Sequence, residues 1–254
     1  MTEQWRLLQT GFKHAYSNMA IDKAILVAAS EGKVPPTVRF YGWNPPAISL
    51  GYFQSVTDEI DVQACERFGV EYVRRITGGG AVFHEKELTY SIVVPESHPA
   101  IPKNIMKSYG RICGAVMHGL NHLGINSEYA PINDIVTGGR KISGNAQTRK
   151  YQTVLQHGTV LMDVDVEKMF SVLKVPNEKI KDKLIADVKQ RVTSIKHQLS
   201  KEISFTEVAR AMKIGFEEEF HVKLIEGRLS GAEQAVAKQF EQECFSTTQW
   251  NYKR

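Results

Sequence analysis

The stretch that most constrains the fold is RRITGGGAVFH, from Arg74 to His84. A β-like run ends in two arginines, three glycines follow in a row, and a second short β-like run comes after them. That order reads as strand, backbone turn, strand. With no β-carbon, Gly78, Gly79 and Gly80 let the chain reverse sharply and let other backbone or a ligand come close. N–H groups exposed in such a turn bind anions, and the forked cation of Arg74 or Arg75 suits phosphate or carboxylate. A solvated glycine-rich hairpin would use the same residues, so this stretch alone leaves both readings open. It does exclude two familiar phosphate loops. The chain has no G-x-x-x-x-G-K-[ST], and GGG does not fit G-x-G-x-x-G.

The segments on either side set the fold class. TEQWRLLQTG reads as a strand ending at Gly11, and Ser17 as the N-cap of a helix that Gly32 stops. TVRFYGW and AISLGYFQ flank the turn Asn44-Pro45-Pro46, which suggests an antiparallel pair. A short helix through Val62, Cys65 and Phe68 ends at Gly69, EYVRRI enters the glycine turn, and LTYSIVVP leaves it as a strand. Ile105, Ile112, Val116, Leu120 and Leu123 form one stripe of a helix between Pro102 and Gly124. DIV and RKISG read as a hairpin about Thr137-Gly138-Gly139, followed by the long strand TVLQHGTVLMD. Asp165 caps a helix, VPNEKIKDKLIADVKQRVTSI reads as solvated helical surface, and SFTEVARAMKIGFEEEFHV is a capped amphipathic helix. A last helix spans Gly231 to Cys244. Strand blocks joined by turns and interrupted by single helices predict an α+β fold with a mixed, largely antiparallel sheet flanked by helices. Residues 1–254 read as one domain, with 200–254 as its helical C-terminal part.

Bulk properties exclude several function classes. A net charge of +4 without a block of lysine or arginine gives no ground for a nucleic-acid partner. No run approaches the ~20 apolar residues of a membrane span, and the N-terminus lacks a signal-peptide core. Cys65, Cys113 and Cys244 are odd in number with no C-x-x-C, so neither zinc nor a disulfide framework is indicated and a cytoplasmic location is expected.

Chemistry concentrates in two places, the glycine turn and the stretch from Asn133 to Thr159. Lys141 is a compact point charge suited to a phosphoryl or carbonyl oxygen as charge develops there. His157, and His84 directly after the turn, could orient a carbonyl, or each could be a satisfied core histidine. Asp134 could hold magnesium or position the lysine. Asn133, Asn145 and Thr159 crowd the same region.

Together RRITGGGAVFH, NDIVTGGRKISGNAQ and LQHGTVLMD resemble the lipoate-protein ligase and octanoyltransferase family, whose catalytic domain is similar to that of biotin-protein ligases. The resemblance implies an acyl substrate lying between the glycine turn and the lysine strand. It implies that lipoate or octanoate is activated with ATP and Mg2+ to an acyl-AMP. The acyl group then passes to a lysine of a lipoyl domain of a 2-oxoacid dehydrogenase or of the glycine-cleavage H protein. Carried over, Arg75, Gly80, Ala81, Val82, Phe83 and Lys141 would bind ATP. Gly78, Gly79, His84, Lys141, Gly144, His157, Gly158 and Thr159 would line the acyl slot, with Asn133 and Asp134 in support. The family's short ligases lack an accessory domain, so a separate small subunit is a possible partner.

The sister activity is octanoyl transfer from acyl carrier protein through a cysteine thioester. In ligase-like transferases that cysteine precedes the GRK segment, where this chain reads NSEYAPINDIVTG. In the other type it follows, where this chain reads SGNAQTRKYQT. Neither segment holds a cysteine, and the Asn133-Asp134 pair followed by GRKISGNA resembles what the ligases show, so ATP-dependent lipoate ligation is the expected activity. The alternatives are the cysteine-dependent transferase, a non-catalytic acyl-binding relative and, more weakly, a biotin ligase.

Overall fold

The computed structural model describes residues 2–175 and 181–253. The elements run β1 (Glu3–Lys13), α1 (Ala15–Ser30), β2 (Thr37–Trp43), β3 (Ala47–Leu50), α2 (Val56–Glu59), α3 (Val62–Phe68), β4 (Glu71–Arg74), β5 (Val82–His84) and β6 (Glu87–Pro95). Then come α4 (Ile105–His122), β7 (Glu128–Ala130), β8 (Asp134–Thr137), β9 (Arg140–Lys150), β10 (Thr153–Leu161), α5 (Val166–Val172) and α6 (Lys181–Arg191). The chain closes with α7 (Ile195–Leu199), α8 (Phe205–Phe220), β11 (Val222–Glu226), α9 (Gly231–Phe240), a π-helical turn (Glu241–Phe245) and α10 (Thr248–Asn251).

Among the described residues the strands form an eight-stranded sheet, β11-β1-β2-β6-β10-β9-β8-β7, and a three-stranded sheet, β4-β3-β5. β1 runs parallel to β2 and β11, and β3 parallel to β4; every other pairing is antiparallel. This is the α+β architecture with a mixed, largely antiparallel sheet that the sequence predicts.

Two apolar layers hold helices on the large sheet. On one face Ile112, Val116 and Leu120 of α4 and Met212 and Phe216 of α8 pack on Phe40, Tyr90 and Ile92. On the other, Met19, Ile25 and Leu26 of α1 pack with Tyr41, Trp43, Val93, Leu155 and Phe245. A third cluster fills the space beneath the small sheet. Buried at about 25 cal/mol per Å2 of apolar surface, these layers supply the main folding drive.

Several local expectations change. β2 and β3 do not pair. Both are buried along their whole length, so each needs a neighbour on either side: β2 lies between β1 and β6, and β3 between β4 and β5. β1 continues past Gly11 through a bulge to Lys13. His14, not Ser17, caps α1, its ring accepting the Ser17 N–H. β11 stands where only a helix end is expected, and completes the parallel edge beside β1. The hairpin turn at Gly138-Gly139 is as expected, with φ of +54° and +73°, a combination that favours glycine. In the basic segment, residues 176–180 lie outside the described residues, and α6 buries no side chain.

The C-terminal segment is tied to the strand that enters the glycine turn. Arg74 is fully buried and donates to the carbonyls of Gly51, Tyr52, Gln54, Trp250 and Asn251 at 2.6 to 3.1 Å. Asn251 Oδ1 accepts the Arg74 N–H and the Trp250 indole donates to the Arg74 carbonyl, both at 2.8 Å. Arg74 is therefore a structural hub and not the anion-binding fork considered from sequence. Five carbonyls need donors there, and one guanidinium provides them.

Candidate active site

A cavity of about 170 Å3 opens between the glycine turn and the β9–β10 region. It is lined by Gly79, Gly80, Ala81, Val82 and His84 from the glycine turn and β5, and by Lys141, Gly144, Gly158 and Thr159 from β9 and β10. Tyr41, Trp43 and Met19 supply an apolar floor. A pocket with apolar sides and a few converging polar groups suits a medium-chain acyl group with a polar head.

The glycine turn holds its shape through close packing. A β-carbon on Gly51 would stand 1.9 Å from the Gly79 carbonyl oxygen, so the segment after β3 and the turn touch backbone to backbone. Arg75 braces the turn from beneath. Its Nε donates to Thr77 Oγ1, its Nη1 to the Ser49 carbonyl and hydroxyl, and its Nη2 to the carbonyls of Gly78 and Gly80. These contacts occupy all five N–H donors of a guanidinium, so in this arrangement the Arg75 charge reaches the cavity as a field and not as a free fork. Burial pulls Arg75 down to about 10, and it remains a cation at neutral pH.

Lys141 lines the same cavity as the turn, with Nζ 2.8 Å from Asp134 Oδ1. Asp134 is the ion-pair partner of this lysine. Gly144 pairs with Asp134 across β8 and β9 and lies beneath the lysine. A β-carbon there would meet both Cε and Nζ of Lys141 at 2.7 Å. The Asn133 amide donates to the Asn145 carbonyl, and the Asn145 amide to the Asn133 carbonyl. This reciprocal pair fixes the segment before β8 against β9.

Below the wall runs a buried polar chain. Asp22 of α1 pairs with Arg39 at 2.7 Å and accepts from Tyr41, Ser91 and His157 Nδ1. His157 Nε2 lies 2.7 Å from Thr77 Oγ1. Because Thr77 accepts from Arg75, its own proton goes to His157, which places the imidazole proton on Nδ1 toward Asp22. Burial lowers the His157 pKa, only partly offset by Asp22, so the ring is neutral. Burial alone would raise the Asp22 carboxyl, but Arg39, followed by His157, holds it below its ordinary value.

The sequence-derived site residues mostly converge. Arg75, Gly79, Gly80, Ala81, Val82, His84, Asn133, Lys141, Gly144, His157, Gly158 and Thr159 all line the cavity. Gly78 is not among its lining residues, and Phe83 packs into the cluster beneath the small sheet, as alternation along β5 requires. Sequence reasoning missed Trp43, Ser49, Thr89 and Glu87. Of these, Glu87 carries a sequence signal, an acidic residue directly before the strand run LTYSIVVP.

No cysteine lines the cavity. Cys113 is buried in α4, where burial pushes its thiol up to about 12, and Cys65 is buried in α3 and pushed up to about 11. Cys244 is half-buried in the C-terminal π-helical turn, its thiol also raised by burial.

Residues 14–217 match the family model of the lipoyl protein ligase A/B catalytic domain. The chain belongs to this family. It is 40% identical to octanoyltransferase LipM of Geobacillus kaustophilus and 37% identical to that of Anoxybacillus flavithermus, each alignment covering 99% of this chain and 99% of the relative. Among solved structures it is similar to the bi-partite lipoate protein ligase of Thermoplasma acidophilum. There it shows 29% identity and a TM-score of 0.90 over 98% of this chain and 96% of that one.

The full-length relatives correct the expectation of ATP-dependent lipoate ligation, because they are octanoyltransferases. The residues on which that expectation rests, Asn133-Asp134 and GRKISGNA, form the lysine wall of the cavity. Such a wall can hold an acyl carbonyl whatever group leaves it, so these residues do not discriminate between an adenylate and a thioester. The ATP, magnesium and acyl-AMP expectations belong to the same ligase reading. Among the described residues no helix is long and apolar enough to cross a membrane.

Proposed function

We propose that the protein transfers an octanoyl-class acyl group from a thioester on a carrier protein to the ε-amine of a lysine on a lipoyl domain or glycine-cleavage H protein. The observation that carries this reading is that Lys141 and the glycine turn line one cavity together with the apolar residues Met19, Tyr41 and Trp43. The octanoyltransferase relatives support the choice of acyl donor.

A thioester is already activated, so the reaction needs positioning and charge stabilisation and no nucleotide. The acyl tail lies along Met19, Tyr41 and Trp43, and the carbonyl oxygen points to Lys141. As an amine or hydroxyl attacks the carbonyl carbon, negative charge grows on that oxygen. The ammonium, held by Asp134 above Gly144, offsets it. The lipoyl-domain acceptor is supported by the likeness to the Thermoplasma ligase, which comes from a lipoylation system with an E2 lipoyl domain. The cysteines, none in a disulfide, fit a cytoplasmic setting.

The test is mass spectrometry of an apo lipoyl domain mixed with enzyme and octanoyl carrier protein in nucleotide-free buffer. The expected product is a singly octanoylated domain, with Lys141→Ala slowing turnover by about 10²–10³-fold. Octanoylation that appears only with free octanoate, ATP and magnesium would overturn the proposal.

A further inference from the structure

Acyl transfer in this family is a natural place for a covalent intermediate, yet no thiol reaches the cavity. A hydroxyl does. Ser49, at the centre of the small sheet, lines the cavity with only 2% of its surface exposed. Its Oγ lies 2.7 Å from His84 Nε2, and His84 Nδ1 lies 2.6 Å from Glu87 Oε1. Ser49 pairs with Val82 and Ala47 with His84 across β3 and β5, which fixes the serine and histidine side by side. Glu87 opens β6 three residues later and is 3% exposed.

The proton directions follow from the partners. A carboxylate accepts from Nδ1–H, and with the ring proton on Nδ1 the His84 Nε2 is left as an acceptor for the Ser49 hydroxyl proton. Arg75 Nη1 donates to the Ser49 oxygen from another side at 3.1 Å. Trp43 stacks on the imidazole, centroids 4.0 Å apart and planes 15° apart, and holds its orientation. Thr89 donates to Glu87 Oε1 at 2.5 Å and fixes the carboxylate in turn.

We propose that Ser49 is an acyl-accepting nucleophile, activated by His84 and positioned through Glu87, that takes the part a cysteine would play. This rests on the acyl-transfer reading. In the first step Ser49 Oγ bonds to the acyl carbon and the C–S bond of the donor breaks. The hydroxyl proton passes to His84 Nε2 and on to the departing thiolate. In the second step the neutral acceptor amine bonds to the acyl carbon and the C–O bond to Ser49 breaks. The amine proton returns through His84 to Ser49 Oγ. Lys141 faces the developing oxyanion in both steps. A nucleophile, a base within hydrogen-bond reach and a group that orients the base are what such a route requires.

The experiment mixes the enzyme with p-nitrophenyl octanoate, quenches in acid and reads intact mass and peptide maps. One octanoyl ester on the peptide containing Ser49 is expected, absent in Ser49→Ala. In Ser49→Cys the adduct becomes a thioester that neutral hydroxylamine cleaves, which keeps the test open if the alanine variant folds poorly. Glu87→Gln should slow acylation at least 10²-fold and alter its pH profile, which a merely structural hydrogen bond would not do. In the carrier-to-lipoyl-domain assay Ser49→Ala should lose at least 10²-fold in kcat. No adduct on the wild type, or an adduct retained in Ser49→Ala, would overturn the serine role. Wild-type transfer by Ser49→Ala would overturn the serine while leaving octanoyl transfer standing. Acylation of Ser49 by the ester without any transfer from carrier protein would do the reverse.

Discussion

Gly144→Ala separates the placement of the Lys141 charge from the integrity of the fold. The new methyl would stand 2.7 Å from Cε and Nζ of Lys141, while ordinary contact begins near 3.4 Å. The end of the lysine must then retreat by at least 3.4 − 2.7 = 0.7 Å. Lysine is flexible there, and Gly144 is not among the glycines with positive φ, so the retreat should cost the fold little. Gly→Ala at a compatible backbone position stabilises by about 0.4–1 kcal/mol through the unfolded chain, which offsets part of that cost. The melting temperature should therefore stay within about 4 °C of wild type. Catalysis should not be spared, because a displacement near 1 Å at a positioned group can cost on the order of 10²-fold. The assay is kcat for octanoyl transfer alongside thermal melting, with a fall of about 10–10²-fold expected. Unchanged kcat would show that the ammonium does not act where the structure puts it. A large drop in melting temperature would show that the crowding is resolved through backbone.

Other perturbations probe the supports of the cavity. Gly51→Ala sets a methyl 1.9 Å from the Gly79 carbonyl, backbone against backbone, and should destabilise by about 1–3 kcal/mol on chemical denaturation while also losing activity. Arg74→Met leaves buried carbonyls without their donor and should cost about 3–5 kcal/mol, with the segment after α9 becoming the first site of limited proteolysis. His157 has its folded pKa below the ordinary 6.5, so protons favour the unfolded chain. Stability should decline as pH falls below about 6.5, and the decline should flatten in His157→Gln, as read by melting temperature against pH. Asp22 does not confuse that window, because its depressed pKa keeps its contribution intact until the pH falls below the ordinary carboxylate range. Cys113→Ala should keep kcat within about 2-fold, since the thiol is buried away from the cavity; abolished activity would restore a cysteine route.

Much of the site was legible because it sits on local signals. Gly138-Gly139 forces the hairpin that carries Lys141, and β-branched residues mark the strand that carries His157 and Thr159. The pairing of β2 and β3 was not legible, because a turn between two apolar strands looks the same whether they pair or enter different sheets. Arg74 and Arg75 looked like free cations. What they bind, main-chain carbonyls from residues 49 to 54, 78 to 80 and 250 to 251, is set by tertiary packing and leaves no trace in local spacing. The alignment of Ser49, His84 and Glu87 likewise depends on register between β3 and β5 and on where β6 begins. The donor of the acyl group is not legible in the sequence, because the lysine motif serves both chemistries.

The most direct measurement is a crystal structure of the protein with an octanoyl-lysine peptide, the product of the proposed transfer. The octanoyl chain should lie over Met19 and Trp43, with its carbonyl oxygen within hydrogen-bond reach of Lys141 Nζ and the glycine turn closing over it. A peptide bound elsewhere, or an acyl carbonyl turned away from Lys141, would contradict the account.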